Sequence, residues 1–132
     1  MTQENKELLL KDLSARLPYG VIMNTPNGDG HLCSINQTIF GNEYGINIKP
    51  TRRYYFNDEK INFKPYLRPM SSMTEEEKKE YKLLCDYYMD DKEEKHYFNN
   101  IATIDWYHQK HFDCRGLIKL GLALEATEGM YK

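Results

Sequence analysis

A chain of 132 residues is one domain's worth, long enough to bury about two-thirds of the surface its unfolded form exposes. Its formal net charge of −2 excludes a global field for nucleic acid or an anionic membrane, and no apolar run approaches the roughly 20 residues that span a bilayer. Cys33, Cys85 and Cys114 are odd in number and fall in no CxxC spacing, which points to free thiols in a reducing compartment.

The stretch MTQENKELLLKDL is polar and lacks the apolar core of a signal peptide, so the expected location is cytoplasmic. Residues 5–16, NKELLLKDLSAR, read as a helix, with Leu9, Leu10, Leu13 and Leu17 on one face. Pro18 stops it, since proline has no N–H to donate and crowds the residue before it. Between 19 and 67 the period changes. YGVIMN is a strand candidate, and TPNGDG clusters Pro, Asn-Gly and Asp-Gly into a turn. HLCSINQTIF alternates imperfectly, with Leu32, Ser34 and Asn36 on one side and Cys33, Ile35 and Gln37 on the other. GNEYG is a second turn, leading into the strand candidate INIKP. RRYYF is a third β-rich run, NDEK a turn and KINFKPYL a fourth strand. About four short strands with short connections suggest a small antiparallel meander or a partly open barrel.

After Pro69 the pattern turns helical. In SSMTEEEKKEYKLLCDYYMDD, Thr74 followed by Glu77 is a capping box, the acids of the first turn complement the helix N-terminus, and Tyr81, Leu84, Cys85 and Tyr88 form the apolar stripe. DDKEEKHYFNN reads as a polar break and loop. Residues 101–112 form the next helix, and Asp113 caps a short last one, CRGLIKL, ending at Gly121. LALEA then runs extended. The expected fold is α+β: an N-terminal helix, the small sheet, and three C-terminal helices packed on it as a single domain.

DWYHQKHFDC, at 105–114, raises the question of chemistry. On a helix, His108 and His111 continue the stripe begun by Ile101 and Ile104, and Asp105 lies near enough to share a cation with both. Zinc helices use an i, i+4 histidine pair with a distant third ligand, so histidines at the edge of a core are the simpler reading and no metal is expected. Cys114 opens a helix, where thiolates are favoured, and pairing with His111 is conceivable, yet no cysteine-hydrolase signature surrounds it. There is no GxSxG, GxGxxG, P-loop or HExxH, and the carboxylates of 74–94 line a solvated helix face. Neither an enzyme nor a cofactor is expected.

Charge is unevenly spread. From Lys49 to Arg68, six basic residues (Lys49, Arg52, Arg53, Lys60, Lys64, Arg68) face only Asp58 and Glu59, a net +4, whereas Thr74–Lys95 carries −4. The cations interleave with Tyr54, Tyr55, Phe56, Phe63 and Tyr66. Sheets of this character hold single strands and nucleotides by stacking and phosphate pairing, which makes Arg52, Arg53, Tyr54, Tyr55, Lys64 and Arg68 the candidate ligand-binding set. The alternative is that the aromatics fill the core and the cations pair with the acidic helix, within one chain or across a homo-oligomer interface.

RLPYGV at 16–21, KPYLRPMSSMTEEE at 64–77 and IDWYHQKHFDCRGLIKLGLALEATEGMY at 104–131 resemble a family of small uncharacterised proteins of gut Bacteroidales and of their phages and mobile elements. Its members show a PYLxPxSSMTEE segment and a DWLNxxHFDYRGLIxxGLAL ending. Tyr107 stands here where the family usually has leucine, and Cys114 where it usually has tyrosine, which argues against a catalytic Cys114. The resemblance implies a phage or prophage accessory protein of the bacterial host cytosol and no particular chemistry. Its residues also read structurally: Pro65 and Pro69 fix the exit from the last strand, Ser72 or Thr74 caps the next helix, Arg115 pairs with a nearby acid or carbonyl, and Gly116 permits close helix approach. The expected function is a non-enzymatic protein-binding or adaptor module with a protein partner and no membrane partner. The alternative is nucleic-acid or nucleotide binding, for example sequestering a signalling nucleotide. His108, His111 and Arg115 form the second candidate cluster.

Overall fold

Helix α1, Gln3–Arg16, begins where the Thr2 hydroxyl accepts from the Asn5 N–H at 3.1 Å. It gives way at Pro18 to a single 3₁₀ turn, Leu17–Tyr19, as the proline predicts. The computed structural model describes residues 2–37, 44–50, 52–56, 61–88 and 93–131, with side chains at 86–88 and 93–100 left out of the description. The NDEK turn, most of the GNEYG turn and the Tyr88 side chain lie outside the described residues.

Six strands form one open sheet: β1 Ile22–Thr25, β2 Gly28–Gln37, β3 Tyr44–Lys49, β4 Arg53–Tyr55, β5 Lys64–Leu67 and β6 Leu124–Glu125. Their order is β4-β3-β2-β1-β5-β6. The first four make an antiparallel meander, β5 returns antiparallel beside β1, and β6 joins β5 in parallel. This corrects the count of about four strands, and the open edges β4 and β6 exclude a barrel. Residues 31–37 of the imperfectly alternating segment lie in β2, which spans Gly28–Gln37. A bulge between Leu32 and Ser34 resets its phase, so Leu32 (opposite Ile48) and Ile35 (opposite Ile46) share the core face while Ser34 and Asn36 point away. Gly30 is required in β2, because a Cβ there would lie 2.5 Å from the Lys49 carbonyl oxygen.

The core lies on one face of this sheet. Leu9 and Leu13 of α1 pack with Met23, Leu32, Ile46, Ile48, Tyr54, Phe63 and Leu67, and Leu117, Leu122 and Ala123 close it from the C-terminal segment. Full burial of each large apolar side chain contributes about 1.5–3 kcal/mol.

Helix α2, Glu75–Tyr88, starts with the capping box in both directions: the Glu77 N–H donates to Thr74 Oγ1 at 3.1 Å, and the Thr74 N–H donates to Glu77 Oε1 at 3.0 Å. Helix α3, Glu93–Gln109, begins inside the segment read as a polar break, so most of that segment is helical. Its charged residues satisfy helix propensity as well as they would a loop. Among the described residues, no α2 or α3 side chain belongs to the sheet core. The two helices instead share an aromatic cluster of Tyr81, Trp106, Tyr107 and Phe112, and no described helix is long and apolar enough to cross a membrane.

The expected last helix does not form. Gly116, at φ 75, breaks the run with a left-handed residue, leaving hydrogen-bonded turns. The end signal survives: Gly121 N–H donates to the Ile118 carbonyl at 3.0 Å and Leu122 N–H to the Leu117 carbonyl at 2.9 Å, the two bonds of a Schellman cap. Of LALEA, only Leu124–Glu125 is a strand, β6; Leu122 and Ala123 before it form a bend, and both are buried.

Candidate functional site

Helix α3 stops three residues before the sequence implies. His111 takes the left-handed conformation at φ 65, its N–H donates to the His108 carbonyl at 3.1 Å, and the Phe112 N–H donates to the Tyr107 carbonyl at 2.9 Å. This is a Schellman cap with histidine in the place glycine usually takes. His108 is therefore on the helix and His111 off it, and they share no stripe. The stripe itself is corrected too: Ile101 and Ile104 are exposed, while Thr103, Trp106 and His108 face inward.

Beyond the cap, the chain crosses the end of β5. The Arg68 N–H donates to the His111 carbonyl and the Asp113 N–H to the Arg68 carbonyl, both at 2.8 Å. Asp113 then holds the next turn, accepting from the Leu117 N–H at 2.7 Å and the Ile118 N–H at 3.0 Å. Segments 16–21, 64–77 and 104–131 meet at this point.

At the centre is an ion pair that composition and spacing did not flag. Leu9, Asp12, Leu13 and Arg16 fall on one face of α1, so a charged pair is carried into the core on an apolar stripe. Arg16 Nε donates to Asp12 Oδ2 at 2.7 Å and Nη2 to Oδ1 at 3.2 Å, with both side chains fully buried. Nη2 also donates to the Phe112 carbonyl at 2.6 Å, tying α1 to a residue 96 positions away. Arg115 Nε lies 3.3 Å from Asp12 Oδ1, so two guanidiniums share one carboxylate. The acidic i, i+4 partner of Arg16 on the leucine face is the signal from which this centre was legible.

Around it, His108 is buried with Nε2 3.7 Å from Cys114 Sγ. Burial, and then the Arg16 cation, hold His108 below its usual proton affinity, while burial pushes the Cys114 thiol up. The pair therefore rests as thiol and neutral imidazole, the opposite of an activated thiolate–imidazolium nucleophile. His111 stacks on Tyr131, ring centroids 3.7 Å apart, and burial with the nearby Arg16 and Arg68 lowers its pKa to about 4. The Tyr131 hydroxyl donates to the Tyr66 carbonyl at 2.6 Å and accepts from the Ile22 N–H at 2.9 Å, pinning the C-terminal turn across β1 and β5. Burial raises the Tyr131 pKa to about 12. Among the described residues, no three His, Cys, Asp or Glu side chains group as ligands for a metal ion.

The expected ligand-binding set does not assemble. Tyr54 is a core residue whose hydroxyl accepts from Asn27 Nδ2 at 2.8 Å. Arg68 is committed to Glu77 through bonds of 2.6 and 2.8 Å and lies 4.2 Å over the Phe112 ring. That forked bond is the main reason the Glu77 pKa falls to about 2. Lys64, opposite Asn24 on β5, is separated from Arg53 on β4 by the three strands between, about 19 Å at ordinary strand spacing. Only Arg52, Arg53 and Tyr55 stay close, at the β4 edge. Arg52 reaches the Tyr54 ring at 5.7 Å, and Arg53 reaches the Tyr55 ring at 5.4 Å.

Arg53 and Tyr55 lie on the sheet face away from the core, opposite Asn47 and Gly45 of β3. The Arg53 guanidinium rests against Gly45, where a Cβ would come within 2.7 Å of Nε. Thus the molecule presents two unlike polar regions: a buried, doubly cationic centre and a small solvated platform. No protein-family model, no curated protein and no solved structure matches this chain.

Proposed function

We propose that this protein is a non-enzymatic binding module that engages a protein partner through the α2–α3 hairpin. The observation that carries this reading is the outward turn of an apolar stripe: Ile101 and Ile104, one helical turn apart on α3, are 41% and 46% exposed. Adjacent apolar side chains on an exposed helix face offer a surface that a partner can cover. Leu83 on α2, 70% exposed, adds to the apolar surface of the same hairpin. The neutral Cys114–His108 pair supports the absence of nucleophilic chemistry. On the family resemblance, the setting is the cytoplasm of a bacterial host carrying the phage or mobile element.

The test is capture from host lysate by wild type and by the Ile101→Ser/Ile104→Ser double variant, with circular dichroism confirming the fold. A partner retained by wild type and lost by the double variant is the expected result. Identical capture by both would overturn the assignment.

A second reading, nucleotide or nucleic-acid binding, rests on the Arg53–Tyr55 platform, where a guanidinium plane and a phenol ring lie on the solvated sheet face. Bases stack on such surfaces and phosphates pair with the cation. Lys49 is on the same face of β3 as Asn47 and adds charge. Fluorescence anisotropy with a single-stranded oligonucleotide tests it: binding should weaken with salt and with Arg53→Ala, and no binding at low salt ends this reading.

A further inference from the structure

We propose that Arg16 and Arg115, bridged by Asp12, form a binding site for one small oxyanion, a carboxylate or phosphate group. Two guanidiniums meet one carboxylate here. Arg16 Nη2 and Arg115 Nε are 3.2 and 3.3 Å from the same Asp12 oxygen, so the cations are immediate neighbours. Arginine does not shed its proton in proteins, and one carboxylate balances only one of them. Of the other acids nearby, Glu77 is paired with Arg68 and caps Thr74, while Asp113 keeps its charge but gives its oxygens to the Leu117 and Ile118 N–H groups rather than to either guanidinium. Asp105 is exposed. His108 and His111 are held neutral by burial and by Arg16 itself.

The donors tell the same story as the charges. Arg16 is fully buried; Nε and Nη2 are used on Asp12 and Phe112, but Nη1 has no hydrogen-bond partner. Arg115 Nε is buried and makes no aligned hydrogen bond, being an ion-pair contact with Asp12 only. Unpaired buried N–H groups on a cation carry a large desolvation cost, which an oxyanion removes by accepting from both forks. The solvent edge of the cluster lies at Arg115, whose side chain is 28% exposed, with Cys114 half-buried beside it. A water molecule would accept one of these N–H groups but leave the excess charge, which separates a hydration site from an anion site.

Thermal unfolding of the full chain, titrated with sodium phosphate or with sodium acetate at an ionic strength fixed by chloride, tests the proposal. At ten times the dissociation constant, wild type should gain roughly 5 °C in melting temperature, and the gain should go on rising with the logarithm of the concentration. Arg115→Gln should lose that gain, while Lys79→Gln, at an exposed lysine of α2, should keep it. A gain with one salt alone identifies the ligand class as phosphate or carboxylate. No gain in wild type, or an equal gain in Arg115→Gln, overturns the proposal. Should Arg115→Gln fail to fold, calorimetric titration of wild type decides: one site per chain supports the assignment, and no heat or many weak sites removes it.

Discussion

Arg16 and Arg53 are the same side chain in opposite surroundings. Arg16 is sealed in α1, uses its fork on Asp12 and a distant carbonyl, and joins α1 to the chain at Phe112. Arg53 lies flat on an open sheet face against Gly45, near Tyr55, joining nothing beyond its own edge. The first is where stability is concentrated, because a buried charge tolerates no loss of its partner. The second is where a ligand is met at little structural cost. A cationic patch in a sequence does not distinguish these roles; the residues that surround each guanidinium do.

Asp12→Ala should separate the two regions most sharply. It strips the shared carboxylate from two guanidiniums, one of them fully buried, and breaking such a pair costs about 3–5 kcal/mol. Urea unfolding with circular dichroism reads this directly. A loss below about 1 kcal/mol would mean that the cluster is less desolvated than its burial indicates.

Glu77→Gln comes next. Its carboxylate accepts two charge-assisted bonds from Arg68 and completes the reciprocal cap with Thr74. Loss of those bonds should lower stability by about 1.5–3 kcal/mol, and Thr74→Ala by about 1 kcal/mol, measured in the same way. If the two substitutions cost the same, the Arg68 bond adds nothing to the cap.

These two predictions divide along the line between what was legible and what was not. Thr74 and Glu77 are three residues apart, and their cap could be read from the sequence because its geometry is local. Pro18 and Gly121 likewise act on their own turns as read, whereas Asp113 holds a turn but not the helix it was expected to cap. Arg16 and Phe112 could not be joined by reading, because nothing local marks a contact between residues 96 positions apart. The bulge at Cys33 and the left-handed His111 escaped for a different reason. Each is a single-residue departure that tertiary packing pays for, and each reverses the facing of everything beyond it. Lys64 and Arg68 were grouped with Arg53 by proximity in sequence, which strand order undid.

Acid should unsettle the buried region before the open one. His111, with a pKa lowered to about 4 from 6.5, and His108, lowered in the same direction, bind fewer protons folded than unfolded below about pH 6.5. Stability therefore falls as pH drops through that window, by up to about 1.4 kcal/mol per unit for each histidine. Glu77, lowered to about 2 from 4.5, adds its own loss below pH 4.5. His111→Asn should flatten the slope between pH 6.5 and 4.5 in denaturant titrations; an unchanged slope would assign the loss to other groups.

The smallest effects belong to the platform, and there stability and binding should part company. Arg53→Ala removes an exposed side chain, and Gly45→Ala adds a methyl group that meets only the far end of that arginine. Both should change stability by no more than about 0.5 kcal/mol, as surface substitutions do. They differ in what they leave behind. Gly45→Ala keeps the charge but lifts the guanidinium off the sheet, whereas Arg53→Ala removes charge and plane together. If a single strand is held by stacking on this surface, both variants should weaken anisotropy binding. If it is held by charge alone, Gly45→Ala should bind as wild type does, and only Arg53→Ala should fall, with a shallower salt dependence.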